Sequence, residues 1–174
     1  QSPLENALLD LDEYDLTING VQHIFLSDSQ NVVLLPNKNQ IIMKKNKSFF
    51  FNGTIYAGLF SFYGNEFFFD YDNFRINLGD IDSVGFSVSS ERYDNLGKII
   101  AEKINNILED AKGELLIDDP QNKSGLKDFP KYPVFNCKDF AYVYFDDSNI
   151  QNGVYSRDDI FFKVNPFTMD SLDN

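Results

Sequence analysis

A chain of 174 residues with 27 acidic against 15 basic side chains carries a formal net charge of −12, which repels phosphate polyanions and anionic membrane surfaces. Only Arg75, Arg92 and Arg157 supply guanidinium forks, the groups best shaped to read phosphate, so nucleic acid is excluded as an expected partner. Hydrophobic residues at 43% and aromatics at 16%, with 18 Phe and 9 Tyr, exclude disorder and favour strands, because rings suit a pleated, half-buried surface.

Twenty of the acids are Asp and only seven are Glu. Aspartate bonds its own local backbone and prefers tight turns to helix interiors, so many short connections are expected. No apolar run approaches the roughly 18 residues that cross a bilayer as a helix, so no transmembrane segment is expected. The chain begins at Gln1 with no signal-like segment, as a processed protein or a piece of a longer one would. A single cysteine, Cys137, allows no internal disulfide.

The first half reads as a meander. Val32–Leu35, Gln40–Lys44, Thr54–Tyr63, Glu66–Tyr71, Phe74–Leu78 and Val84–Val88 are short apolar or alternating runs separated by PNKN, NG, GN and DN. Asn52-Gly53 is the sharpest hairpin signal, since both residues tolerate positive φ. Phe74, Ile76 and Leu78 alternate with Arg75 and Asn77, giving one buried and one wet face. Thr54–Tyr63 is apolar on both faces, as a covered central strand would be.

Between Leu96 and Ala111 the period changes. Leu96, Ile99, Ile100, Ile104, Ile107, Leu108 and Ala111 fall on one helical stripe, with Lys98, Glu102, Asn105, Asn106 and Asp110 opposite, which predicts one amphipathic helix ending at Gly113. The stretch KIIAEKI also fits an alternating strand. Beyond it come ELLID, the turn-rich DDPQNKSG, and DFPKYPVF, whose prolines favour an extended loop. Phe140–Phe145 and Asp159–Val164 resume the sheet.

The chain also repeats itself. FRINLGDIDSV (Phe74–Val84) aligns without gaps on FKVNPFTMDSL (Phe162–Leu172), agreeing at eight of eleven positions at an offset of 88 residues. Such a match predicts a strand followed by an Asp-Ser turn, used twice. The second copy stops two residues before the end, as expected of a segment of a longer repetitive protein.

The strings NKSFFFNGTIYAGLFSFYGNEFFFDYDNFRINLGDIDSV, GELLIDDPQNKSGLKDFPKYPVF and DIFFKVNPFTMDSLD resemble segments of very large bacterial cell-envelope proteins built from successive β-rich repeats. The resemblance runs from about Val32 onward and carries no named activity. It implies an extracytoplasmic location and a modular role, with neighbouring repeats or another envelope protein as partner. The N-terminal LENALLDLDEYDLTI has no counterpart in it.

Chemistry-bearing residues are few. His23 is the one histidine, and Cys137 is its only thiol partner, more than a hundred residues away; a satisfied strand histidine and a buried small cysteine are the expected roles. Paired aspartates are plentiful, and Asp70, Asp72, Asp80 and Asp82 are the candidate calcium ligands, because alternate residues on an extended turn can present hard oxygens to one ion. The EF-hand pattern fails after Asp72, and turn capping explains the same residues. No other cofactor is implied. Tyr56, Tyr63, Tyr71, Tyr142, Tyr144 and Tyr155 are candidates for a carbohydrate platform, with core packing as the ordinary alternative. Asn46, Asn52 and Asn122 head glycosylation triplets that matter only in a eukaryotic secretory setting.

The expected fold is mostly β, an antiparallel sandwich or layered β-repeat with one amphipathic helix. One β-rich domain over 1–174 is expected, with related sub-repeats at about 48–88 and 136–174. The expected role is a non-catalytic structural or interaction module of a larger extracytoplasmic bacterial protein. A carbohydrate-binding or calcium-stabilised module is the alternative, and a Cys/His or Asp-pair hydrolase is a third reading.

Overall fold

The computed structural model describes residues 6–27, 29–93, 99–103, 108–146 and 153–171, with only the backbone described over 88–93 and 99–103. In chain order come β1 (Ala7–Leu9), β2 (Leu16–Asn19), β3 (Ile24–Ser27), β4 (Val32–Pro36), a 3-10 turn at Asn37–Asn39, β5 (Gln40–Met43), β6 (Phe49–Ala57) and β7 (Phe60–Asp70). There follow β8 (Arg75–Tyr93), β9 (Ile99–Lys103), β10 (Gly113–Leu116), β11 (Val134–Cys137), β12 (Ala141–Tyr144), β13 (Phe161–Val164) and β14 (Phe167–Met169). The fold is mostly β, and every strand pair among the described residues is antiparallel.

Twelve strands form one branched sheet, ordered β1-β2-β5-β6-β7-β8-β10-β11-β14, with β3-β4 attached to β6 and β9 attached to β8. The branching follows from strand length. The start of β6 pairs with β5 through Phe49 and Phe50, and its end pairs with β4 from Gly53 to Ala57. Both β7, at 11 residues, and β8, at 19 residues, run past either branch.

Long strands keep one face on a core only if their bends preserve the alternation of side chains. In β7 the register against β6 shifts between the Phe51↔Phe67 and Gly53↔Gly64 pairs, leaving one extra residue at Asn65-Glu66. Glu66 takes φ 54, and its N–H donates to Asn52 Oδ1 at 2.8 Å. The bulge puts Phe60 and Phe62 before it and Phe67 and Phe69 after it on the same buried face. In β8 the register against β7 shifts so that Asp82 is the extra residue, and the buried positions step from Ile76 and Leu78 to Ile81 and then Val84. The two strands meet closely at this bend. A Cβ on Gly64 would lie 2.2 Å from the Asp80 carbonyl oxygen, so no larger residue fits there without moving backbone.

Three expectations change here. The run Thr54–Tyr63 is not one strand. It folds back at Gly58, φ 58, into a hairpin in which Ala57 faces Phe60. Asn52-Gly53, the expected hairpin turn, lies inside β6 instead, because β4 approaches so closely that a Cβ on Gly53 would sit 2.2 Å from the Leu35 carbonyl oxygen. The third change is the amphipathic helix. Ile99–Lys103 is strand β9, paired with β8 through Ser87↔Lys103 and Val88↔Glu102, and Leu108 bridges Val84. Of the rest of the stripe, 96–98 and 104–107 lie outside the described residues, Glu109 bridges Tyr142 and Asp110 takes φ 57, and no α-helix occurs among the described residues. The physical reason is the free edge of β8. It offers cross-strand partners to a segment whose β-branched Ile99 and Ile100 suit a strand as well as a helix.

The sheet curls over itself. Flat, β7 and β11 would stand three strand spacings apart, about 14 Å, yet the Phe62 and Phe135 ring centroids are 5.0 Å apart and nearly perpendicular. Phe62, Phe67, Phe135, Leu34, Ile55, Ile76 and Leu115 are fully buried, each stabilising by about 1.5–3 kcal/mol relative to exposure. The two-stranded β12-β13 sheet leans on this core through Ala141, Val143 and Val164, and an isolated bridge joins Tyr142 to Glu109.

Candidate functional site

The β12-β13 ribbon has two unlike faces, set by alternation. Its register pairs Ala141 with Val164, Val143 with Phe162, Tyr142 with Lys163 and Tyr144 with Phe161. Opposed residues share a face, so Ala141, Val143, Phe162 and Val164 point one way and Tyr142, Tyr144, Phe161 and Lys163 the other. The first set rests on the core except for Phe162, which overhangs it and is 62% exposed. The second set faces away from the core.

On that outer face the Tyr142 and Tyr144 rings lie 5.8 Å apart and within 21° of parallel, while Phe161, 49% exposed, presents its edge to Tyr142 at 5.8 Å. Arg157 covers the arrangement. Its guanidinium sits 3.6 Å from the Tyr144 ring centroid and bonds Glu109 Oε2 at 2.6 Å, with Asp110 at 3.6 Å and Asp146 at 3.7 Å. The Tyr144 hydroxyl donates to Asp110 Oδ2 at 2.7 Å. That bond, reinforced by partial burial and the Asp110 charge, raises the phenol above its ordinary value, because ionising it would set two anions against each other.

Beside the ribbon lies a groove of about 390 Å³ lined by Asp80, Ile81, Asp110, Ala111, Lys112, Asp139, Phe140 and Tyr142. Lys163 caps the Phe140 ring at 3.6 Å. The whole patch is thus aromatic, acidic and locally cross-braced, and it presents rings to solvent rather than to the core.

The four candidate calcium ligands do not converge. Asp70 closes the β7-β8 turn, accepting from the Asn73 backbone N–H, the Asn73 side chain and Arg75 Nε. Burial pushes its carboxyl up, but those donors outweigh it and hold it below the usual carboxylate range. Asp72 is exposed in the same turn, where its backbone carbonyl accepts from Lys123. Asp80 and Asp82 are exposed within β8 rather than in a separate turn. Since Asp70 pairs with Arg75, five residues from Asp80, the two acidic pairs stand about 17 Å apart along the strand. Among the described residues, no three His, Cys, Asp or Glu side chains gather into a metal-holding group.

His23 is exposed ahead of β3, and its ring meets Phe25 edge-on at 5.1 Å. Cys137 is buried in β11, its thiol donating to the Asp139 carbonyl, and burial pushes it above the ordinary thiol range. They belong to different branches of the sheet, and neither has the other as a contact. Asn122 is buried, bonded to Asp118 and Lys127. Tyr56 and Tyr63 share a hydroxyl hydrogen bond that raises the Tyr56 phenol.

Sequence reading found the tyrosine pair but missed Glu109, Asp110, Asp146 and Arg157. The available signal was rarity, since Arg157 is one of three arginines and follows the tyrosines closely. No helix among the described residues is long and apolar enough to cross a membrane. Compared with known protein families, curated proteins and solved structures, the chain matches none of them.

Proposed function

We propose that this chain is a non-catalytic interaction module of a larger extracytoplasmic protein and that the β12-β13 ribbon is its contact surface. The observation that carries the reading is the exposure of Phe161 and Phe162 on opposite faces of a ribbon that has only a shallow footing on the core. Exposed large rings beside a polar rim are what protein contact surfaces bury. Neighbouring repeats of the same polypeptide, or another envelope protein, are the partners, in keeping with the resemblance to repetitive cell-envelope proteins. The proposed layered architecture supports this role, since a repeat that stacks on siblings needs an uncovered apolar edge.

A photo-crosslinking residue placed at Phe162 of the full parent protein in its own cells tests the reading. The control position is Leu126, which is 88% exposed and lies outside the ribbon. A discrete adduct from position 162 that is missing from position 126 supports the surface. Equal yields from both positions, or none from 162, overturn it.

A second reading, a carbohydrate-binding module, draws support from the near-parallel Tyr142 and Tyr144 rings. Against it, Arg157 already occupies one face of Tyr144, so a sugar ring would have to displace a triply braced guanidinium.

A further inference from the structure

A different cavity has the chemistry of a sugar site. On the outer face of β5, β6 and β7 lies a pocket of about 300 Å³ lined by Asn37, Lys38, Gln40, Ile42, Phe50, Phe51, Asn52 and Asn65. Four of these side chains are carboxamides. In a chain of net charge −12 no carboxylate lines the pocket, and Lys38 is its one charge. A carboxamide donates through nitrogen and accepts through oxygen, which matches a hydroxyl that does both.

Three backbone irregularities converge to build this wall. The 3-10 turn places Lys38 and Asn39 at φ 56 and 53, projecting Asn37 and Lys38 over the sheet. Gly53 lets that turn descend, since a Cβ there would lie 2.9 Å from the Asn37 nitrogen. The β7 bulge carries Asn65, and bulges commonly re-aim side chains beside functional sites.

The polar groups are partly fixed and partly open. Asn52 Oδ1 accepts the Glu66 N–H, which orients the amide and leaves its NH2 as the unassigned end. Gln40 Nε2 donates to Asn19 Oδ1 at 2.8 Å, leaving Gln40 Oε1 as acceptor. The Asn37 and Asn65 side chains make no hydrogen bond among the described residues. Phe50 supplies the apolar wall. It is 39% exposed and held by Phe68 at 4.5 Å, with Lys44 Nζ 5.5 Å from its centroid. Phe68 and Lys44 flank the ring, and the area still exposed beside them is what the C–H face of a pyranose meets.

We infer that this pocket binds a neutral saccharide, with Phe50 as the stacking platform and Asn37, Gln40, Asn52 and Asn65 as the hydroxyl-reading groups. The inference is independent of the ribbon and of the crosslinking outcome there.

The test is a nitrogen-15 shift titration of the intact chain with cellobiose, maltose and N,N′-diacetylchitobiose to about 20 mM, the range in which weak single-site affinities saturate. Glycerol and glucuronate serve as controls. The expected result is saturable shifts from at least one disaccharide at Asn37–Gln40, Asn52 and Asn65, with about tenfold weakening in Phe50→Ala and in Asn65→Ala. Asn65→Ala removes a side chain with no partner among the described residues, so its melting midpoint should match the parent and its loss of binding cannot be attributed to unfolding. The inference is overturned if no disaccharide saturates, if shifts centre on Tyr142 and Tyr144, if glycerol acts equally, if glucuronate binds tighter, or if Asn65→Ala binds as well as the parent.

Discussion

Ile76 in β8 has β7 on one side and β10 on the other and is fully buried. Val164, its counterpart 88 residues later, sits in β13 with β12 as its one partner among the described residues. The preceding residues differ more. Phe74 is buried at φ 50 beneath the Phe69 ring, whereas Phe162 is mostly exposed. Past the strand, Leu78 is buried where Pro166 is exposed, and proline cannot donate to a ladder. The first copy therefore continues as one 19-residue strand, while the second breaks into β13 and β14 on different neighbours. The same residue types give a core strand or a surface ribbon according to how many neighbours the chain supplies.

The comparison breaks hardest in the core. Truncating Phe62 or Phe135 to alanine removes one ring of a pair that joins β7 to β11, and should cost about 3–5 kcal/mol in denaturant unfolding. Phe162→Ala should fall within about 0.5 kcal/mol of the parent. If Phe162→Ala costs as much as Phe62→Ala, the ribbon is part of the core and not a contact surface.

Next in size is the bend that makes β8 one strand. Gly64→Ala pushes a methyl against the Asp80 carbonyl and should lower stability by about 2–3 kcal/mol. Gly58→Ala meets nothing closer than 3.4 Å at the Pro133 side chain, and its cost is confined to the strain of φ 58, about 1 kcal/mol. Equal losses at the two glycines would refute the close approach.

Acid should act on β8 through the carboxylates around Arg75. Glu114 of β10 bonds Arg75 at 2.9 Å and Lys138 at 2.9 Å. Burial pushes its carboxyl up, yet Lys138, Asn136 and Arg75 together hold it below the usual value. A carboxyl depressed in the folded state contributes stability that is present above its unfolded value, about 4.3, and lost as pH falls through its folded value. Asp70 acts in the same direction at the other end of Arg75. Melting midpoints of the parent should therefore drop on going from pH 5 to pH 3 by more than those of Glu114→Gln. Parallel drops would show that Glu114 is not linked to folding.

Smaller effects belong to the ribbon. Asp110→Asn removes the anion that raises the Tyr144 phenol, so one tyrosine should titrate closer to its ordinary value in an ultraviolet titration, with stability changed by less than about 1 kcal/mol. Smallest is calcium. Because the Asp70 carboxylate is already engaged and Asp80 stands about 17 Å away, excess calcium over EDTA should leave the midpoint in place. A saturated site would add about 2.7 kcal/mol, a shift on the order of 5–10 °C, and such a rise would show a calcium site that the Asp70–Asp72 and Asp80–Asp82 pairs cannot form jointly.

Much of this was legible in residue order. Period-two patterning and abundant Phe identified the strands, and Phe74, Ile76 and Leu78 do share the buried face that their spacing implied. Tyr142 and Tyr144 do share one face of β12. The chain alone was ambiguous wherever a local signal has two solutions. Asn-Gly and Gly-Asn are turn-formers, but the same freedom serves a bulge or a close approach, and only the position of β4 and β8 chose between these. Ile99 and Ile100 suit a helix or a strand, and the open edge of β8 decided for strand. The acidic patch was beyond reach because Glu109, Asp110, Asp146 and Arg157 meet only when the Leu108–Asp110 segment is bridged between β8 and β12. Composition and alternation are properties of neighbours in sequence, and they determined an aromatic, antiparallel, mostly β chain. Which strands found two partners, and which rings were left facing water, depended on contacts between residues dozens of positions apart, and those exist only once the sheet has curled.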